Sequence, residues 1–401
     1  MKKIVLLSAL TSSLLLASGY RLPETSVNST ALSAAYVANA NGADASYYNP
    51  ANMVFNENKD QLEVDLTYIR LSSIKYKDDI SSIRNSSTKV ENLYAPSAFF
   101  ASKEFGNYRF GLAMVVPGGL SKRWDDPYAK LYAKEFTLKI VELNPSLAYK
   151  ISDKFAVGAG VRFIYSEGVV KSDGTDIGIP IIRDMEADTT EFGYNIAATY
   201  KPNKKATVSA TYRSNVDLKE RGNAKLYLSG TKLYDGGASV TVPLPAVASL
   251  AFSYDFGKTT LEVEYDKTYW SKYKELDFEF VDSVPVALKG AFDDPKPRNW
   301  KDTNAYRVGI THKYNSKLTI MASIAKDENP EPEKNVGFEL PDSDAMIYGA
   351  GFRYKYNKKM TVGASVLYDK KDDRKVKNDS ANGEFDDASA LLITFGASYK
   401  F

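Results

Sequence analysis

Residues 62–68 read LEVDLTY, a stretch in which apolar and polar side chains alternate one by one. Leu62, Val64 and Leu66 share one parity, and the residues between them are acidic or carry a hydroxyl group. Successive side chains of a β-strand point to opposite faces. The stretch therefore predicts a strand that has one apolar face and one polar face.

The same alternation recurs along the rest of the chain, in short runs separated by turn residues. It is present at residues 108–116, 155–165, 207–213, 250–254, 261–269, 306–314, 318–325, 346–356 and 360–368. No run alone is decisive, because each is short. Together they indicate one large, all-β unit from residue 61 to residue 401.

The lengths of the connections indicate how these strands are arranged. Very short connections are predicted at Gly106-Asn107, Ser152-Asp153, Asn203-Lys204, Gly257-Lys258, Asn315-Ser316 and Asn357-Lys358. Long, polar, irregular stretches alternate with them, at residues 73–92, 118–134, 171–188, 217–239, 272–301, 326–344 and 370–387. Six short turns and seven long loops join fourteen strands. An even number of antiparallel strands with short turns on one side is typical of a transmembrane β-barrel of the outer-membrane type.

The last stretch supports a closed barrel. Leu391, Ile393, Phe395, Tyr399 and Phe401 share one parity. A final strand with so many exposed aromatic residues would be a sticky edge in a water-soluble protein. In a barrel the strand pairs with the first strand, and its aromatic face contacts lipid. We therefore expect a multi-pass barrel in a bacterial outer membrane.

The first residues predict export. Lys2 and Lys3 precede an almost unbroken apolar stretch at residues 4–17, which is too short to span a membrane as a mature helix. This pattern is typical of a cleaved secretory signal peptide, here residues 1–19. Cleavage after Ala17 and cleavage after Gly19 both fit the small residues there.

The stretch between the signal peptide and the first strand has no alternation. Residues 20–55 are small, polar and rich in alanine, and Pro23 and Pro50 interrupt them. We predict that residues 20–60 form a plug, or hatch, inside the lumen of a barrel made by residues 61–401.

The composition argues against several other functions. The formal net charge of +2 gives no reason to expect nucleic-acid binding. The chain has no cysteine, so it has neither disulfides nor thiolate metal ligands. His312 is its single histidine and lies beside a predicted short turn, which speaks against a histidine-based metal or catalytic centre. We expect no enzyme activity, no cofactor and no metal.

Several short motifs, in order along the chain, resemble the FadL/TodX family of outer-membrane transporters of long-chain fatty acids and other hydrophobic compounds. The matching pieces are GYRL at 19–22, DASYYNPA at 44–51, ATYRSN at 210–215, VPLP at 242–245, YWSKYKEL at 269–276, WKDTNAYRVG at 300–309 and LPD at 340–342. The asparagine–proline–alanine triplet alone would be a weak signal. The ordered set covers nearly the whole mature chain and is specific.

The resemblance implies a fourteen-stranded barrel with an N-terminal hatch and an inward kink in its third strand. Pro117, Gly118 and Gly119 would form that kink, since proline removes a ladder donor and glycine permits unusual backbone angles. The alternative is that these residues simply end the strand. Asn49 of the Asn49-Pro50-Ala51 triplet would hydrogen-bond the backbone groups that the kink frees, or would only form a turn.

The resemblance also implies two ligand-binding residues. Lys301 matches a family lysine near the head group of the ligand, and Lys171 is the nearest basic residue to a second family cation. Lysine in a loop is otherwise usually solvated.

The predicted function is passive uptake of hydrophobic molecules, such as fatty acids or aromatics, through an apolar pocket and a lateral opening. The alternatives are a general porin, which the plug disfavours, and an adhesin or structural surface protein that acts through its long loops. Outer-membrane lipid and lipopolysaccharide are the expected surroundings. A plugged single-chain barrel is expected to be a monomer.

Overall fold

The structure, a computed structural model, describes residues 19–401. The predicted signal peptide therefore lies almost entirely outside the described residues. Fourteen antiparallel strands form a closed barrel, as the sequence predicts. The barrel closes because β1 pairs with β2 on one side and with β14 on the other, from Gln61↔Lys400 to Leu71↔Ala390.

Three of the wall strands are interrupted and are given in two pieces. In chain order the strands are β1 (Gln61–Leu71), β2 (Glu91–Ala101), β3 (Tyr108–Val115 and Gly119–Lys122), β4 (Glu135–Lys150), β5 (Phe155–Asp173), β6 (Ile181–Tyr200), β7 (Ala206–Arg213 and Val216–Leu228), β8 (Thr231–Leu244 and Ala246–Asp255), β9 (Thr259–Tyr269), β10 (Thr303–Lys313), β11 (Leu318–Asp327), β12 (Ala345–Lys355), β13 (Met360–Lys371) and β14 (Ser389–Lys400).

The two faces of β1 are reversed relative to those of a water-soluble protein. Val64 is 54% exposed on the outer face of the barrel, and Leu62 and Leu66 beside it are exposed as well. Glu63 and Asp65 are buried on the opposite face. An outward apolar band with a polar interior is the arrangement that lipid requires of a barrel.

The six predicted short turns are confirmed, but two predicted long loops are wrong. Residues 171–188 are mostly strand, because β5 continues to Asp173 and β6 begins at Ile181. Residues 217–239 form a hairpin of β7 and β8 that turns at Ser229 and Gly230, whose φ angles of 51° and 79° suit a tight two-residue turn. In the β7 extension the buried Leu218, Ala224 and Leu226 alternate with polar residues, but Glu220 and Gly222 interrupt this apolar face and hid its strand character.

The remaining connections carry short elements. The helices outside the plug are α3 (Pro127–Ala133) and α4 (Val286–Phe292), and 3-10 turns lie at Ser82–Arg84, Thr175–Ile177, Trp270–Lys272 and Glu333–Asn335. A separate four-stranded sheet is formed by the short strands Lys75–Asp78, Ser86–Ser87, Arg374–Lys377 and Asn382–Asp386. Two further short pairings lie in the loops. Glu275–Leu276 pairs with Lys296–Pro297, and Phe278–Phe280 pairs with β8. An aromatic cluster that includes Trp124 and Phe338 packs against the four-stranded sheet. Long loops between strands are thus mostly ordered.

Residues 20–55 are almost all buried and carry only short helices, α1 (Val27–Ala31), α2 (Ala45–Tyr48) and the 3-10 helix Pro50–Phe55. We call residues 20–60 the plug. The plug contacts β11 to β14 through α1 and β4 to β6 through its 3-10 helix. No helix of residues 19–401 is long and apolar enough to cross a membrane.

Carboxylates of β9 hold the middle of the plug through its backbone. Glu264 accepts hydrogen bonds from the amides of Tyr36 and Val37, each at 3.0 Å. Glu262 accepts from the amides of Ala38 at 2.5 Å and Asn39 at 3.1 Å. Four consecutive amides of an irregular segment are thereby satisfied by the wall.

Buried arginines bind the plug from other strands. Arg307 of β10 donates to the carbonyl of Ser33 at 2.9 Å and forms ion pairs with Asp266 and Asp327 of neighbouring strands. Arg109 of β3 donates to the carbonyl of Met53 at 2.6 Å, near the end of the plug. These side chains link the plug to the wall at both of its sides.

Candidate functional site

The wall is weakest between β2 and β3. These strands pair over only four positions, from Ala98↔Met114 to Ala101↔Gly111. Residues 91–97 of β2 continue beyond this ladder without a paired residue in β3. The interruption of β3 at residues 116–118 begins just after Val115, the residue that follows the last paired position, Met114.

The N-terminal strip, residues 19–22, supplies backbone partners at this interruption. Leu22 donates its amide to the carbonyl of Pro117 at 2.8 Å, and Gly119 donates its amide to the carbonyl of Tyr20 at 2.8 Å. A Cβ atom placed on Gly118 would lie 2.4 Å from the Tyr20 carbonyl oxygen, so glycine is needed for the close approach. Backbone groups without partners are costly within a membrane. The strip therefore supplies backbone hydrogen bonds to β3 at its interruption.

The side chain of Asn49 does not bond the backbone at the kink, so that part of the sequence prediction is wrong. Its Nδ2 donates to the carbonyl of Val37 at 2.8 Å and to Oγ1 of Thr199 in β6 at 2.9 Å. Asn49 does join plug and wall, but on the side of β6. The Pro117 carbonyl and the Gly119 amide at the interruption of β3 are bonded by the strip instead.

The rest of the triplet packs tightly against β5. A Cβ atom on Gly158 would lie 2.7 Å from the amide nitrogen of Ala51 and 2.8 Å from Cβ of Pro50. Pro50 opens the 3-10 helix of the plug, where its missing N–H is no loss. Pro50 and Ala51 thus have a packing role, and their part in gating stays a prediction.

A cavity of about 550 Å³, partly open to solvent, adjoins the interruption of β3. Most of its lining is apolar, including Leu120, Leu138, Val170, Val242 and Leu276. The Tyr20 ring also lines it and packs edge-on against Trp270, with ring centroids 4.8 Å apart. One residue of the strip thereby contacts both the cavity and the broken strand.

The cation that lines the cavity is Arg298. Its guanidinium forms an ion pair with Glu339 and lies 3.7 Å from Oε1 of Glu331. Burial lowers the pKa of Arg298, but Glu339, Tyr273 and Glu331 raise it by more, and the net direction is upward. Burial also raises the pKa of the Tyr273 phenol to about 12, against the opposing effect of Arg298. The positive charge of Arg298 is therefore permanent and already balanced by Glu339.

The two lysines proposed from the resemblance do not line this cavity. The side chain of Lys301 is exposed in the connection before β10. Lys171 lies in β5, and its amine is 3.4 Å from Oδ1 of Asp184 and 3.6 Å from Oε1 of Glu186. Their role in ligand binding gains no support from this geometry and stays a prediction.

Sequence reasoning missed Arg298 and Tyr20. Arg298 stands two residues before the WKDTNAYRVG motif, and that proximity was the only signal of its importance. Tyr20 belongs to the GYRL motif, but nothing in a local pattern indicates that residue 20 reaches residue 119.

His312 lies at the end of β10, and its Nδ1 is 2.8 Å from Oγ1 of Thr259. Within residues 19–401 no group of three or more histidine, cysteine, aspartate or glutamate side chains could hold a metal ion.

The comparison with protein families decides the identity. The family described as "Outer membrane protein transport protein (OMPP1/FadL/TodX)" matches residues 8–401. The chain belongs to this family. It is accordingly a protein of the outer membrane, and its family consists of transporters of fatty acids and aromatic hydrocarbons.

Curated relatives are distant. Outer membrane protein P1 of Haemophilus influenzae is 24% identical over 285 residues, which is 63% of this chain and 60% of that protein. The long-chain fatty acid transport protein of Escherichia coli K12 is 23% identical over 308 residues, 64% of this chain and 67% of that protein. The matches thus span about 60% of the length of the first of these relatives.

Solved structures share the fold over the full length. A FadL homologue of Pseudomonas aeruginosa gives a TM-score of 0.83 at 20% identity, and the match covers 96% of this chain and all of that one. The toluene transporter TodX of P. putida gives a TM-score of 0.72 at 16% identity, covering 94% and 99%. At these identities the likeness establishes the fold alone.

Proposed function

We propose that this protein lets hydrophobic molecules cross the outer membrane passively, through the apolar cavity and then sideways through the wall between β2 and β3. The proposal rests on one observation. Tyr20 lines the cavity and at the same time bonds Gly119 at the interruption of β3. Moving the strip would therefore connect the cavity with the broken part of the wall.

The lateral direction follows from the solute. An apolar molecule that diffused down a wet lumen would gain nothing from burial, whereas one that enters lipid stays removed from water. The plug also occupies the lumen below the cavity, where Glu262, Glu264 and Arg307 hold it by buried hydrogen bonds. An exit through the short β2–β3 ladder avoids breaking those bonds.

The class of solute follows from the lining and the family. The named relatives include a long-chain fatty acid transport protein and a toluene transporter. We propose that this chain takes up hydrophobic molecules such as fatty acids or aromatic compounds. We propose in addition that the protein is a monomer and that lipopolysaccharide surrounds it in the membrane.

The direct test is uptake by cells that lack the gene, compared with the same cells carrying it. Accumulation of labelled dodecane, dodecanoate and toluene should be faster with the gene for at least one of the three. Equal accumulation of all three would contradict the proposal.

A general porin is the competing function, and planar bilayers separate the two. Because the plug fills the lumen, the intact protein should give no large, stable single-channel conductance. An ohmic conductance typical of an open channel would instead support a porin.

A further inference from the structure

Two cavities meet at one buried carboxyl group. A second cavity of about 300 Å³ adjoins the first, and both are lined by Gly168, Val170, Glu220, Val240 and Phe278. Four of these five residues are apolar or glycine. Glu220, which is 2% exposed, is the ionisable member of the set. A ligand that fills both cavities would contact this shared set of residues.

The carboxyl group of Glu220 accepts a hydrogen bond but forms no ion pair with a cationic side chain of residues 19–401. Ser166 donates its hydroxyl to Oε1 at 2.5 Å. Within residues 19–401 no lysine, arginine or histidine nitrogen forms an ion pair with this carboxyl group; the side chains near it include the acidic Asp188 and Glu167. A Cβ atom on Gly168 would lie 2.1 Å from Oε2, so the glycine makes room for this oxygen between the two cavities. A buried acceptor of this kind is expensive unless a donor reaches it.

The other charges of the cavity do not compensate. Arg298 is already paired with Glu339 and lies beside Glu331. A carboxylate ligand would have to displace Glu339 from Arg298 or lie unpaired near Glu220, and both are costly for a buried charge.

We propose that Glu220 binds the hydroxyl group of the ligand, so that this chain prefers apolar molecules with a hydrogen-bond donor, such as long-chain alcohols, over carboxylates of the same length. This inference rests on the proposed function, because it concerns the same cavity. The hydroxyl would donate to Oε2, and the hydrocarbon tail would lie along Val170, Val240 and Phe278.

Arg183 is the arginine to consider if the ligand is a carboxylate and not an alcohol. Its guanidinium lies over the rings of Phe278 and Phe292, at 5.4 and 5.5 Å from their centroids, and its Nε has no hydrogen-bond partner among residues 19–401. It does not line either cavity, however, whereas Phe278 lines both. If a carboxylate were preferred, Arg183 is the residue that would bind it.

The test compares three probes of equal length, dodecanol, dodecanoate and dodecane, by equilibrium binding to the purified protein in detergent at pH 8. We expect dodecanol to bind about tenfold more tightly than dodecane, as a hydrogen bond to a charged acceptor would give. Dodecanoate should bind more weakly than dodecanol. A tighter binding of dodecanoate that is lost in Arg183→Gln would overturn the inference.

Two variants isolate the carboxyl group. Glu220→Leu should bring dodecanol down to the affinity of dodecane, and Glu220→Gln should raise the affinity for dodecanoate because the repelling charge is removed. The matched control is Glu167→Gln, which changes an acidic neighbour that lines neither cavity. If Glu220→Leu unfolds, Glu220→Gln alone decides. An unchanged preference in Glu220→Gln contradicts the inference, whereas failure of all three probes to bind contradicts the proposed function itself.

Discussion

The plug is attached to the wall in two different ways. Its central part is held by buried side chains of the wall, among them Glu264 of β9 and Arg307 of β10. The N-terminal strip is held by two backbone bonds at the interruption of β3 and by packing of the Tyr20 ring. Its Gly19 amide also donates to Asp342, and its Arg21 side chain donates to Thr268. We propose that the strip moves while the central part of the plug, which is held through four consecutive amides and by Arg307, stays in place.

This difference separates stability from gating. Loss of a central contact should weaken the whole barrel, because buried charges are left behind. Loss of a strip contact should leave the barrel folded and alter only the retention and passage of the ligand. The following predictions test that separation, beginning with the largest expected effect.

Arg307→Met should cost the most stability. The change leaves Asp266 and Asp327 without their buried cation, which typically costs about 3–5 kcal/mol. Thermal unfolding in detergent, followed by circular dichroism, should show a clearly lower midpoint than for the wild type. Lys313→Met in the same strand, where the side chain is exposed, is the control and should leave the midpoint unchanged. Equal midpoints for both variants would show that the central part is not held by charge.

Gly118→Val should act on the strip. Its side chain would collide with the Tyr20 carbonyl, so the two backbone bonds of the strip at the kink should break. We expect the protein to stay folded and the affinity for a bound hydrophobic probe to fall about tenfold, which corresponds to about 1.4 kcal/mol.

The matched control for this change is Ala397→Val, on the lipid-facing side of β14 opposite Val64. Valine suits an exposed strand position, so binding should not change there. Retention as strong in Gly118→Val as in this control would mean that the strip does not close the cavity.

Asn49→Ala should have the smallest effect. It removes two buried hydrogen bonds, to the Val37 carbonyl and to Thr199. Both partners keep other bonds, to Asn52 among them, so the expected loss of stability is only about 1 kcal/mol. Uptake should remain near that of the wild type, since Asn49 does not touch the kink. A strong loss of uptake at unchanged stability would restore a gating role for this residue.

The sequence predicted the wall better than the site. Alternation such as that of Leu62, Val64 and Leu66 can be read from neighbouring residues. It recurs in the wall strands because one face of each strand contacts lipid and must be apolar. The extensions of β7 and β8 escaped notice because they carry polar residues on faces that lipid does not touch. Their turn at Ser229 and Gly230 was the remaining local signal.

The site depends on contacts between distant residues, which a single sequence does not encode locally. Arg298 pairs with Glu339, 41 positions further along the chain. The amide of Gly119 in β3 bonds the carbonyl of Tyr20, which lies at the start of the plug. The glycines of the kink were recognised from their chemistry, but the segment that covers them was not. Pairing of charges and capping of backbone groups are decided by the fold as a whole.

The central claim, that the strip uncovers the kink when the ligand passes, can be measured by thiol accessibility, since the chain has no cysteine. Val116 and Val115 are both buried and adjacent, but Val116 lies at the interruption beside Pro117, whereas Val115 is paired with Glu142 in the ladder. Each is replaced by cysteine in turn, in protein reconstituted into lipid vesicles, and exposed to a lipid-soluble maleimide with and without dodecanol. We predict that labelling of Val116→Cys is slow without dodecanol and several times faster with it, while Val115→Cys stays slow in both. Labelling of Val116→Cys that does not change with dodecanol would contradict the account.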